Sequence, residues 1–371
     1  MTGPVVHRIE ATDGAARFGV LTTPHGEVAT PNFMPVGTRA AVRAVDSRDL
    51  LEVGVQMVLT NTYHLMLRPG AEALAALGGL HRFMGWTGPI LTDSGGYQVF
   101  SLDPRVDEEG ATFRSTYDGS RVKLTPEDAV RIQEQLGADI AMILDVCIGL
   151  PAPRPEVEAA MDRTLRWAER ALEMHHRPDQ ALFGIVQGGV DDELRARSAA
   201  ATAALGFPGF GIGGLSVGES ADDRNRVLEV VVAELPPGKP RYTMGLGDPE
   251  GVLDAIARGV DLFDCVWPTR LARHGRVLTA DGDYNLKRSE HRLSSLPLQP
   301  ACPCLTCSTY TRAYLRHLLT TRELGAHRLI TVHNLAYTMR LMQDVRSAIA
   351  DGRFAEFHAS TVARRLSPSA E

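Results

Sequence analysis

The chain has 371 residues, 44% hydrophobic and 23% charged, the balance of an ordinary globular protein. It has no apolar run of the ~20 residues needed to cross a membrane, its start MTGPVVHRIEATDG lacks the apolar core of a secretory signal, and five cysteines are too few for a disulfide scaffold. A cytoplasmic location is expected, and with a net charge of −6 any phosphate-bearing partner must be met by a local basic patch.

Taken in chain order, eight short apolar runs each end in a polar or glycine-rich motif. They are FMPVGT (33–38), QMVLTNT (56–62), PILTDSGG (89–96), DIAMILD (139–145), LFGIVQGG (182–189), GFGIGG (209–214), RYTMGLG (241–247) and DLFDC (261–265). Helical segments separate most of them. TPEDAVRIQEQLG (125–137) has Thr125 as cap, Pro126 in the first turn and Asp128 three residues after the cap. Segments 155–176, 220–235 and 248–259 also read as helices. Continuous apolar runs alternating with helices predict buried parallel strands. Eight such units predict an α/β fold, an irregular (β/α)8 TIM barrel, over a doubly wound open sheet. In a barrel the strand C-terminal ends build the active site, so Asp93, Asp145, Gln187, Gly214, Gly245 and Asp264 are expected around one mouth.

Two regions break the alternation. Residues 97–124 are polar and irregular, and an Asp-Gly turn at 118–119 between β-rich flanks predicts an inserted hairpin. Residues 269–371 follow the eighth unit and hold three of the five cysteines. The expected division is a barrel over 1–268 and a zinc-binding subdomain with closing helices over 269–371. The end SPSAE (367–371) is expected to fray.

Cys302, Cys304 and Cys307 fall within CPCLTC, where a tight turn can aim several thiolates at one ion. A structural zinc is expected, with His317, His327 or His333 as fourth ligand; spacing alone leaves the choice open. Asp93 and Asp264, both at strand ends, supply the carboxylate pair needed for nucleophile and acid/base chemistry at a sugar carbon. Asp145 is matched to the donor edge of a guanine. Glycines at four strand ends permit close approach of a flat ligand. GxxxxGK[ST] does not occur, and the one GxGxxG spacing, GFGIGG (209–214), lies within an apolar run rather than opening a helix, so no nucleotide cofactor is expected. Arg270, Arg273, Arg276, Lys287, Arg288 and Arg292 outnumber Asp281, Asp283 and Glu290 over 269–292, a candidate phosphate-contact patch beside Asp264.

The motifs LTNTYHL, LTDSGGYQVFSL, IVQGG, GIGGLSVGE, YTMGLG, FDCVWPTR, CPCLTC and TVHN together resemble the tRNA-guanine transglycosylase (queuine tRNA-ribosyltransferase) family, over about residues 7–358. The resemblance implies a homodimeric enzyme that exchanges guanine at the wobble position of tRNAs with GUN anticodons (those for Asp, Asn, His and Tyr) for a 7-deazaguanine base. It implies Asp264 as nucleophile and Asp93 as general acid/base. It implies base contacts by Asp93, Ser94, Gly95, Gly96, Tyr97, Asp145, Gln187, Gly214, Leu215 and Met244, with Tyr97 and Met244 sandwiching the ring. Gly245, Leu246, Gly247, Asp248, Pro249, Glu250, Gly251, Thr269, Arg270, Leu271, Ala272 and Arg273 would contact the anticodon loop. Cys302, Cys304, Cys307 and His333 would bind zinc.

The chain departs from the bacterial pattern at Val146, where bacterial members usually carry Glu; preQ1 and queuine both stand as incoming bases. Two other readings use the same residues: a catalytically silent tRNA-binding subunit, and a small-molecule glycosidase or phosphoribosyl enzyme on the same barrel. The Asp93/Asp264 pair argues against the first. The basic patch argues against the second.

Overall fold

The structure, a computed structural model, describes residues 3–215 and 217–367. Of the segment expected to fray, residues 368–371 lie outside that range.

The chain opens with an antiparallel sheet of β1 (Val6–Asp13), β2 (Ala16–Thr23) and β3 (Gly26–Thr30). Sequence reasoning missed this sheet, although both turns carry a glycine, Gly14 and Gly26, at positive φ. The eight apolar runs then form eight parallel strands: β4 (Asn32–Gly37), β5 (Val58–Asn61), β6 (Ile90–Asp93), β10 (Ile140–Met142), β11 (Ala181–Val186), β12 (Phe210–Ile212), β13 (Arg241–Thr243) and β14 (Leu262–Cys265). β6 pairs with β10 and β14 with β4, closing the barrel and excluding the open sheet.

Buried ion pairs and caps set the barrel's ends. Asp261, just before β14, accepts from Arg17 of β2 and from the Arg241 amide, fixing the N-terminal sheet to the barrel where strands begin. Asp139, just before β10, accepts from the amides of His25 and Ile90. The helix Pro126–Leu136 is bounded as its sequence predicts, by a Thr125/Asp128 capping box and by Gly137 in the left-handed conformation.

Between β6 and β10 stands a small sheet of β7 (Arg105–Val106), β8 (Ala111–Arg114) and β9 (Arg121–Leu124). The expected hairpin is its second half, and Gly119 takes the positive φ of the turn. After β14 come the helix Trp267–His274, a short ribbon of β15 (Arg276–Val277) and β16 (Tyr284–Asn285), and the cysteine turn. The 27-residue helix Leu324–Ala350 then returns to pack on β1, β2, β4 and the helix Trp267–His274. A second apolar cluster, including Ala272, Val277, Leu298, Leu315 and Ile330, fills this region apart from the barrel core.

Candidate active site

The strand ends meet at one mouth, where a cleft of about 330 Å3 is lined by Asp93, Asp145 and Asp264 together. Ser94, Gly96, Tyr97, Gly214, Leu215, Met244, Gly245 and Arg270 also line it. Tyr97 is 57% exposed and stands at the rim.

Asp93 ends β6. Its Oδ2 accepts from Asn61 Nδ2 at 2.6 Å, and its Oδ1 accepts from the amides of Thr62 at 3.0 Å and Gly95 at 3.2 Å. Asn61 also caps the helix Thr62–Leu67 through its Oδ1, so cap and carboxylate share one side chain. Burial raises Asp93 to about 7, and the charge of Asp264 adds to that push.

Asp264 is the penultimate residue of β14 and is 9% exposed. Its Oδ1 accepts from the Tyr242 hydroxyl at 2.5 Å and from the Gly245 amide at 2.8 Å. Burial raises its pKa too, and these two donors oppose the rise. Two carboxylates in one cleft titrate as a pair, and the charge of Asp264 pushes the shared proton toward Asp93. The thiols of Cys147 and Cys265, also on the cleft wall, are pushed up to about 12 by burial and stay protonated.

Asp145, on the same cleft, lies three residues past the end of β10. Burial raises it to about 6, opposed by Gln187, whose Nε2 donates to Oδ2 at 2.6 Å. Gln187 itself is behind the wall of the cleft and supports Asp145. The space is tight. A Cβ on Gly96 would meet Asp145 Oδ1 at 2.5 Å, and one on Gly214, at φ +64, would meet Gln187 Oε1 at 2.4 Å. Gly95 lends its amide to Asp93 and takes φ +82.

Sequence reasoning missed Arg195, which is 0% exposed. It donates to the carbonyls of Val186, Gly189, Gly213 and Gly214, tying the ends of β11 and β12 together beneath the cleft. A helical arginine followed by small residues gives no signal of this in sequence. Val146 is not among the residues that line the cleft; its amide donates to Thr164 Oγ1 at 3.0 Å.

The segments expected at an anticodon loop divide by exposure. Leu246, Pro249, Gly251, Thr269, Leu271 and Ala272 are buried. Gly247 packs on Cys265, Asp248 caps the helix Pro249–Ile256, and Glu250 is ion-paired with Arg365. Arg270 is exposed and Arg273 half-buried on one short helix. The three acidic residues within the basic patch are all ion-paired: Asp281 and Asp283 with Arg364 and Arg365 from the last helix, and Glu290 with Arg288.

Away from the mouth, Cys302, Cys304, Cys307 and His333 bring their ligand atoms within 4.8 Å of one another. His333 Nδ1 lies 3.7, 3.7 and 3.2 Å from the three sulfurs. Its Nε2 faces the Leu278 carbonyl at 2.9 Å, which fixes the tautomer that aims Nδ1 at the sulfurs. This cluster could hold a metal ion. His317 and His327 are not part of it. Asn334, the next residue, donates to the carbonyls of Pro268 and Arg276 and accepts the Leu278 amide. The metal cluster and the helix bearing Arg270 thus hang on adjacent residues.

A family model described as queuine tRNA-ribosyltransferase matches residues 12–367. A queuine tRNA-ribosyltransferase of Moorella thermoacetica is 51% identical over 358 residues, 96% of this chain and 95% of that protein. One from Thermus thermophilus is 50% identical over 365 residues, 98% of this chain and 95% of that protein. One from Gloeobacter violaceus is 51% identical over 362 residues, 96% of each.

Proposed function

Because this chain belongs to the queuine tRNA-ribosyltransferase family, we propose that it exchanges the wobble guanine of GUN-anticodon tRNAs for a 7-deazaguanine base through a covalent ribosyl–aspartate. The observation that carries this reading is the presence of Asp93 and Asp264 on one cleft with Asp145 on its wall.

In the first displacement the Asp264 carboxylate attacks C1′ of the ribose. A C–O ester bond forms, the C1′–N9 bond breaks, and guanine leaves with the bonding pair. Its ring nitrogen takes a proton from Asp93, whose pKa near 7 suits it to give and accept one. In the second displacement Asp93 takes the N9 proton of the incoming base, which attacks C1′ and releases Asp264. Two inversions retain configuration. One glycosidic bond replaces another, so no nucleotide triphosphate or redox partner is consumed.

Asp145 and the Gly214 backbone read the guanine-like edge, with Gln187 orienting Asp145. The target base must leave the anticodon stack, and stacking between Tyr97 and Met244 offsets part of that cost, about 1–3 kcal/mol per base. Leu215, Ser94 and the Gly95–Gly96 backbone complete the slot. The Gly245–Gly251 and Thr269–Arg273 segments meet the anticodon loop, chiefly through Arg270, Arg273 and backbone groups. The enzyme acts as a homodimer in the cytoplasm.

The metal is zinc. Bonds of about 2.3 Å to sulfur and 2.0–2.1 Å to nitrogen at tetrahedral angles put N and S roughly 3.6 Å apart, close to the 3.2–3.7 Å between His333 and the three sulfurs. Four protein ligands would leave no open position, so the ion these residues would hold is structural and would take no part in the exchange.

The test is displacement of radiolabelled guanine from the wobble position of a GUN-anticodon tRNA, with queuine and preQ1 offered separately. Release with either base supports the reading and identifies the substrate. Exchange on free nucleosides but not on tRNA would refute it.

A further inference from the structure

The strand order splits the mouth into two arcs. β10, β11, β12 and β13 are followed within three residues by Asp145, Gln187, Gly214 and Met244, the base-facing half. β14, β4, β5 and β6 make the other half, and arginines follow their ends: Arg270 and Arg273 after β14, Arg39 and Arg43 after β4, Arg68 after β5. Asp93 and Asp264 stand on the two strands that border the base-facing half, β6 and β14.

None of these five arginines takes part in an ion pair among the described residues. Arg39, Arg43, Arg68 and Arg270 are exposed. Burial lowers the pKa of Arg273, and the charges of Arg43 and Arg270 add to that push, so Arg273 has two like-charged neighbours. Such an arrangement is costly unless an anion covers it.

The far end of this arc is built, not loose. Arg39 and Arg68 both stack on Tyr117, their guanidinium carbons 5.3 and 4.9 Å from the ring centroid. The Tyr117 hydroxyl is hydrogen-bonded to His64 Nδ1 at 3.0 Å. The preceding residue, Thr116, is tied to Tyr63 through both its hydroxyl and its amide. Tyr63 and His64 lie on the helix that starts beside Asp93. Asp118, whose carboxylate feels the charge of Arg68, is engaged by the amide and hydroxyl of Ser120. The arginines therefore present donors from a fixed platform at little further loss of side-chain freedom.

We propose that Arg39 and Arg68, clamped on Tyr117, form a second phosphate-binding wall for RNA, so that the backbone crosses the arginine arc from Arg270 to Arg68 while the target base drops toward Asp145. This rests on the tRNA reading above and adds two residues and an inserted loop to the contact surface. The inserted β7–β9 sheet gains a role: its β8–β9 turn carries the aromatic that holds the wall.

The test is binding of a wobble-G anticodon stem-loop RNA, followed by fluorescence anisotropy across a salt series. Each phosphate contact contributes about 0.7–0.9 to the slope of log affinity against log salt, so Arg39→Ala/Arg68→Ala should lower the slope by about 1–2 and weaken binding roughly tenfold or more at low salt. Arg39→Lys/Arg68→Lys should recover most of the slope. Arg8→Ala, on the N-terminal sheet, should leave it unchanged. Calorimetric affinity for the free base should be that of the unaltered protein, since neither arginine lines the cleft. Unchanged slope and affinity in the double alanine variant, with Arg270→Ala still weakening RNA binding, would overturn the second wall and leave the transglycosylase reading intact. Loss of free-base affinity in the double variant would also overturn it. Failure of the unaltered protein to bind the stem-loop would overturn both.

Discussion

The Tyr242 hydroxyl donates to the same Asp264 oxygen that accepts the Gly245 amide, at 2.5 and 2.8 Å. Asp264 Oδ2 has no such partner among the described residues, which marks it as the oxygen for attack. These donors oppose the upward push of burial on Asp264. Tyr242→Phe should raise the Asp264 pKa and move the acid limb of the kcat/KM profile to higher pH. A lost hydrogen bond to a charged group is worth about 1.5–3 kcal/mol, or roughly ten- to a hundredfold in rate near neutrality. Loss of rate that did not recover at higher pH would count against this role.

Asp93 and Asp145 are raised to about 7 and about 6, burial being the largest cause for each. An acid whose folded pKa exceeds its unfolded value binds its proton more tightly when folded. Its stabilisation is full below the unfolded pKa, about 3.9, and is lost as pH rises through the folded value. The melting temperature of Asp93→Asn should therefore gain on that of the unaltered protein between pH 5 and 8. A gap that narrowed over this window would contradict the shift.

Gly96→Ala places a methyl carbon 2.5 Å from Asp145 Oδ1. Either the carboxylate moves or the loop does, and displacements of about 1 Å cost on the order of a hundredfold in turnover. The affinity for the free base, measured by calorimetry, should fall while the fold melts within a few degrees of the unaltered protein. Unimpaired base binding would show that the slot lies elsewhere.

The eight strands were legible because buried parallel strands are continuous apolar runs, and each here stops at a turn or polar residue. The inserted hairpin announced itself by Asp118-Gly119. The roles of the carboxylates were only half legible. Asp139 and Asp145 flank one strand and look alike in sequence, yet Asp139 sits at its start, bonded to the amides of His25 and Ile90, while Asp145 sits at its end facing the cleft. Strand direction decides, and only closure of the barrel makes that direction useful. Arg195 was invisible because its partners are backbone carbonyls, which carry no residue signature, and the Arg39–Tyr117–Arg68 stack because its ring lies far along the chain.

Metal removal should act at a distance. His333 belongs to the cysteine cluster, and Asn334 beside it holds Pro268, the second residue of the Trp267–His274 helix. Chelation should lower the melting temperature by about 10 °C, as expected for a loss of several kcal/mol at ~2–4 °C per kcal/mol. Hydrogen exchange at residues 267–274 should rise with it. Exchange in that helix unchanged after the metal is stripped would disconnect the two.

The central claim is that one aspartate carries the ribose between the two bases. Its most direct measurement is the intact mass of the enzyme after incubation with a wobble-G stem-loop and denaturation, with peptide mapping of any adduct. The account predicts a mass gain equal to the RNA less guanine, located on Asp264 and absent from Asp264→Asn at unchanged metal content. An adduct that persists in Asp264→Asn, or that maps to Asp93, would contradict it.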